Sequence, residues 1–164
     1  MEQIENLKDL FVEQGRELYD ASLQEQKELP NIEKRAKTQE LKKIINRQIK
    51  TAKEQNERLQ QAFKELKSTP DGVKSLYCDA IMKQTRDLMD RCKDPEVCDA
   101  ALVGAIQHLN HHKITGYGTL AAYANEIGQK DLATKLHQAL EEEKTIDTEL
   151  NNLAKREINK TAVT

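Results

Sequence analysis

Tryptophan is absent from this sequence, phenylalanine occurs twice, and 164 residues contain only six glycines and three prolines. So few turn formers and large aromatics exclude a typical sandwich or barrel and favour helices. No apolar run approaches the roughly 20 residues that span a bilayer. The opening Met1-Glu2-Gln3-Ile4-Glu5 has neither the basic nor the apolar part of a signal peptide. A cytoplasmic protein with no membrane partner is expected. The charges nearly cancel, to a formal −2, so no field of one sign recruits nucleic acid. Cysteine is scarce and odd in number. Cys78, Cys92 and Cys98 form no C-x-x-C pair, which excludes a readable disulfide framework or zinc knuckle. Reduced structural thiols are expected, with Cys92 and Cys98, neighbours across a turn, as the place for a thiol redox sensor. A Gly-rich phosphate loop, a Ser-His-Asp order and an activated-cysteine signature are all missing.

What is present is charge, on one residue in three, and apolar residues at helical spacing. The length suits one domain with a single core. Ile4, Leu7, Phe11, Leu18 and Ser22 share one helix face. This predicts a helix near 3–28 that stops before Pro30. Leu41, Ile44, Ile45, Gln48, Ala52, Gln55, Leu59, Phe63 and Leu66 predict a second near 38–67, capped by Thr38 and about 45 Å long at 1.5 Å per residue. A shorter helix near 72–91 follows. Asp94-Pro95-Glu96 then reads as N-cap, N1 proline and acidic first turn of a helix near 95–127 that ends at Gly128. A last helix is predicted near 130–160. Four long helices with a shorter one between the second and third match a ferritin-like four-helix bundle, the short helix being the crossover. The first helix is acidic and the second basic, so the two are expected to neutralise each other as antiparallel neighbours. The basic helix carries no interleaved aromatics on its polar face, so nucleic acid remains unexpected.

Every long helix breaks its apolar stripe near the middle with polar residues: Ser22; Gln48 and Thr51; Asn110 and Lys113; Glu143 and Asp147. Buried polar groups cost free energy unless they pair, so these residues predict one mutually satisfied layer across the core. Tyr19 and Tyr117 are expected nearby, with hydroxyls in reach of Gln48, Asn110 or Glu143. A di-iron bundle needs a Glu from each of two helices and Glu-x-x-His from the other two. The residues three before His108, His111, His112 and His137 are Ala105, His108, Leu109 and Thr134, so that motif is absent. His108 and His112, four apart on one face, are spaced for weak surface chelation of a transition metal. His137 with Glu141 reads as a surface pair.

The segments Leu18-Tyr19-Asp20-Ala21, Asp94-Pro95-Glu96-Val97, Asp99-Ala100-Ala101-Leu102, Tyr117-Gly118-Thr119-Leu120 and Glu142-Glu143-Lys144 with Asp147 resemble the YciE/YciF family of ferritin-like proteins, nearly end to end. The resemblance implies a bacterial helical bundle linked to stress responses, in a family where many members hold a metal. A homodimer or another protein partner is expected, dimers being common in ferritin-like proteins. The departures lie in the metal site. Ser22 stands where the family usually has Glu, Gln48 and Thr51 where it has His and Glu, and Asn110 and Lys113 where it has a pair of Glu. Only Glu143 and Asp147 remain as metal-site positions. Two carboxylates from one helix cannot enclose two hard cations. No cofactor is expected, and the Lys113 ammonium is expected to fill the space of the metal and pair with Glu143 or Asp147. The alternative is a di-iron or di-manganese carboxylate protein acting in oxidoreduction or iron handling.

Overall fold

The computed structural model describes residues 3–163, which among themselves form helices and no strand. The helices are α1 (Leu7–Arg35), α2 (Gln39–Glu65), α3 (Leu76–Arg91), α4 (Pro95–Glu126) and α5 (Lys130–Leu153). A π-helical segment, Ala154–Ile158, and a short turn, Asn159–Thr161, extend α5. Helices α1, α2, α4 and α5 form a bundle, and α3 packs outside it against α1 and α4. Arg35, at the end of α1, donates to the Met89 and Cys92 carbonyls at the end of α3. The crossover therefore returns the chain to the end of the bundle where α1 finished, and α4 starts there.

Two expected boundaries move. Helix α1 does not stop before Pro30 but runs through it, because Leu29, Ile32 and then Ala36 continue the buried stripe. Their burial outweighs the roughly 3 kcal/mol that an interior proline costs. Helix α3 begins at Leu76, where the Ser75 side chain accepts from the Cys78 amide, rather than near residue 72. The predicted cap of α4 is as expected, with Asp94 Oδ1 accepting from the Glu96 and Val97 amides. Thr38 occupies the N-cap of α2 without a side-chain cap bond. The capping comes instead from Asp99 in α4, which is 1% exposed and accepts from the Lys37 and Thr38 amides at 2.7 and 2.8 Å.

The charge pairing also differs from expectation. Although α1 and α2 are neighbours, basic residues of α2 reach the other way: Arg47 pairs with Glu149 and Arg58 with Glu142, both in α5. The square geometry of a bundle gives each helix two neighbours, and α5 presents its carboxylates toward α2.

The apolar core is divided. One cluster gathers Leu29, Ile32, Leu41, Ile45, Leu102, Ile106 and Leu150. The other gathers Phe11, Leu18, Leu59, Phe63, Tyr117, Leu120 and Leu136. Polar residues occupy the level between them.

A polar layer closed by a buried ammonium

The dividing layer holds Ser22 and Glu25 from α1, Gln48 and Gln55 from α2, Asn110 and Lys113 from α4, and Glu143 from α5, all buried. The Lys113 Nζ lies 2.8 Å from Glu25 Oε2 and 2.7 Å from Glu143 Oε1. Gln48 donates to Glu25 Oε1, and Asn110 Nδ2 donates to Glu143 Oε2 at 2.7 Å. The chain Gln48–Glu25–Lys113–Glu143–Asn110 thus links all four bundle helices through one ammonium. The Ser22 hydroxyl is occupied separately, donating to the Ala52 carbonyl at 3.3 Å.

Charge and burial act against each other here. Burial works against the Lys113 charge, but Glu143 and Glu25 outweigh it and hold the ammonium above the ordinary lysine range. For Glu25, burial raises the carboxyl and the charge of Glu143 adds to it, exceeding what Lys113 takes back. One ammonium cannot fully offset two desolvated carboxylates, and Glu25 is the group that gains proton affinity.

Of the residues expected in this layer, Ser22, Gln48, Asn110, Lys113 and Glu143 are in it. Asp147 is not paired with Lys113. The buried stripe of α5 passes from Glu143 to Ile146 and Leu150, which turns Asp147 outward, where it accepts from Gln107 Nε2 at 3.1 Å and faces His111 Nε2 at 3.2 Å. Thr51 sits half-buried beside the layer because the α2 stripe steps from Gln48 to Ala52. Tyr19 is bonded, but by Gln60 Nε2 at 2.6 Å rather than by a layer residue. The Tyr117 hydroxyl is buried and has no hydrogen-bond partner among the described residues; burial pushes the phenol up.

Glu25 is the functional residue that sequence reasoning misses. It lies three residues after Ser22 and four before Leu29, so the stripe announces it. A helix ended before Pro30 places it near a terminus instead. It supplies, one turn further along α1, a carboxylate that Ser22 does not.

The histidines do not form a chelate. His108 is exposed, whereas His112 turns to Glu17, with Nε2 3.3 Å from Oε1, and its ring lies 5.5 Å from Tyr77. His137 faces Glu141 at 4.0 Å, the expected surface pair. Cys78 and Cys98 are buried, Cys92 half-buried, and all three are free thiols. Burial pushes Cys78 up to about 12 and raises Cys98, which disfavours thiolate chemistry at either.

Tested against a di-metal centre, the donors do not fit. The layer has two carboxylates and no imidazole, and Lys113 already lies between the carboxylates. Among the described residues no group of three or more His, Cys, Asp and Glu is arranged to hold a metal ion.

The fold and layer define an all-helical bundle with one crossover helix and a charged core. The chain belongs to the family described as a domain of unknown function, DUF892, whose model matches residues 6–163. It is 27% identical to protein YciF of Escherichia coli strain K12 over 162 residues, covering 97% of this chain and 96% of that protein. The crystal structure of that E. coli stress protein superposes with a TM-score of 0.91 over 96% of this chain and 99% of YciF. YcfI of Rhodopseudomonas palustris, for which a structural role has been suggested, is 34% identical, with a TM-score of 0.87 over 91% of this chain and 95% of its own.

Proposed function

We propose that this chain is a metal-independent, non-enzymatic member of its family, acting in the cytoplasm as a stress-related structural or interaction protein. The observation that carries the reading is the Lys113 ammonium, within 2.8 Å of carboxylates from two different helices. A lysine brings one fixed positive charge and three donors to a place where hard cations need several oxygens each. It offsets part of the layer's negative charge without a metal and fills the position between the carboxylates that a substrate or oxygen would need. The likeness to a stress protein and to a protein of suggested structural role supports the same reading. Among the described residues no helix is long and apolar enough to cross a membrane.

Elemental analysis of the untagged protein, expressed in medium supplemented with iron and manganese, tests this. The expected result is no stoichiometric metal. A content near two metals per chain would restore the di-iron or di-manganese oxidoreductase or iron-handling reading, with a ligand set other than this layer.

A further inference from the structure

Helix α3 ends at Arg91, α4 starts at Pro95, and the two pack against each other, so they form an antiparallel hairpin closed by a short turn. The inward residues of α3 are Cys78, Met82, Thr85, Met89 and Cys92, in alternating steps of four and three. That is the spacing of one helix face held against its neighbours, and it ends on Cys92. The first fully buried residue of α4 is Cys98. The reversal of the chain therefore sets the last inward residue of one helix opposite the first of the next. Both join one apolar cluster: Cys98 is 1% exposed within it, and Met89 and Cys92 pack against it. Cys78 stands four turns back along α3, about 21 Å at 1.5 Å per residue, and its sulfur donates to the Ala21 carbonyl at 3.4 Å.

A cation is built into the same corner. Arg35 donates to the Met89 and Cys92 carbonyls at 3.0 and 2.8 Å, and its guanidinium is within hydrogen-bonding reach of the Cys98 sulfur. Satisfying the last carbonyls of α3 explains the arginine. It does not explain a thiol on either side of the turn, where any small apolar residue would fill the space.

We infer that Cys92 and Cys98 form a reversible disulfide, a redox switch that hydrogen peroxide closes across the α3–α4 turn. Burial sets the order of reaction. Cys92 is half-buried and meets the oxidant, whereas Cys98 is shielded and burial raises its thiol, so it stays protonated until Cys92 has reacted. The Cys92 thiolate attacks one peroxide oxygen. An S–O bond forms, the O–O bond breaks, and the departing hydroxide takes up a proton to become water. The sulfur is oxidised by two electrons, the peroxide is reduced, and Cys92 is now a sulfenic acid. The Cys98 sulfur then attacks the Cys92 sulfur. The S–S bond forms, the S–O bond breaks, and the oxygen leaves as a second water carrying the Cys98 proton. Arg35 stabilises the negative charge that grows on the Cys98 sulfur as that proton moves. Two thiols and one peroxide thus give one disulfide and two waters, and a dithiol reductant reverses the change. The bond fastens the end of the crossover helix to the first turn of α4, one residue before Asp99, which caps α2. Oxidation would therefore tighten the corner at which α1 ends and α2 begins.

This switch goes beyond the metal-independent reading, and its experiment reads thiols with a chelator present, so either can fail alone. The full chain is exposed to hydrogen peroxide under native conditions, then unfolded, treated with N-ethylmaleimide and weighed whole. The product should carry one maleimide, on Cys78, where the untreated chain with its three free thiols carries three. It should also be lighter by two hydrogens, and dithiothreitol before alkylation should restore all three. Proteolysis should yield the peptides of Cys92 and Cys98 joined to each other. In Cys98→Ala, dimedone should trap Cys92 as its sulfenic acid, and in Cys92→Ala the Cys98 thiol should stay open to alkylation at the same peroxide dose. Circular dichroism of both variants checks that the helices are kept. Three maleimides on the parent, after a dose that fully oxidises reduced glutathione, overturn the proposal. A disulfide that includes Cys78 or joins two chains overturns the pairing, and oxidation of Cys98 in Cys92→Ala as fast as in the parent overturns the assigned order.

Discussion

Lys113 joins two carboxylates that would otherwise face each other without water, so its removal is the sharpest test of the layer. Breaking a buried ion pair by deleting one partner costs roughly 3–5 kcal/mol, because the surviving charge stays buried and unpaired. Lys113→Met keeps the volume and loses the charge. Its stability by urea unfolding at pH 8 should fall by an amount in that range, with part of the loss recovered as pH is lowered, because the carboxyl of Glu25, already raised in the fold, can then hold a proton and donate it to Glu143. Stability equal to the parent at pH 8 would mean that the ammonium adds nothing. The position of Lys113 is legible in the sequence because a lysine on an apolar stripe stands out against Ile106, Leu109 and Tyr117. Its partners are half-legible. Glu143 stands on the α5 stripe, but a four-residue spacing groups Asp147 with it and ignores that the stripe advances by 3.6 residues and prefers Ile146. Glu25 is hidden by a local signal, Pro30, that the packing of Leu29 and Ile32 overrides.

At the scale of elements, the five helices and the crossover are readable from periodicity, and the start of α4 from its capping residues. The start of α2 is not, because its cap comes from another helix. The Asp99 carboxylate reaches across the turn to the Lys37 and Thr38 amides, so one side chain fixes both the corner after α1 and the register of α4 against it. Nothing in the local sequence around Thr38 announces a partner 61 residues away. Hydrogen bonds to a buried charge contribute about 1.5–3 kcal/mol each, and their loss strands the two amides. Asp99→Ala is therefore expected to lose at least about 2 kcal/mol. Asp99→Asn, with one carbonyl oxygen left to accept, should fall between it and the parent. Chemical denaturation of the two variants gives the order, and hydrogen exchange at the Lys37 and Thr38 amides should quicken in step with it. Equal stability of all three proteins would show that water replaces the cap.

Across the whole molecule the carboxylates divide into two kinds, and the division sets how the fold answers acid. Glu17, although burial raises it, is brought below its ordinary 4.5 by hydrogen bonds with His112 and Ser75 and by the charge of His112. Its contribution is present above that value and is lost as pH falls through the lower folded one. Glu25 has the opposite sign. Its folded carboxyl is raised above the ordinary 4.5, so the folded chain takes up a proton before the unfolded chain does. Stability from this group therefore grows as pH falls through the raised value, is complete below the ordinary 4.5, and diminishes again as the carboxyl ionises on the way to neutrality. Lys113, raised in turn, keeps its charge throughout this window and does not alter the sign. Glu25→Gln removes the titration while keeping the shape and one acceptor toward Lys113. The parent should thus be more stable relative to Glu25→Gln at about pH 4 than at about pH 7, a difference that urea midpoints of the two proteins across that range measure directly. A constant gap would mean that Glu25 is no easier to protonate in the fold than out of it. A gap that widened toward neutrality would mean that Lys113 controls Glu25 more strongly than burial does, leaving the layer a full ion pair rather than one that shares a proton.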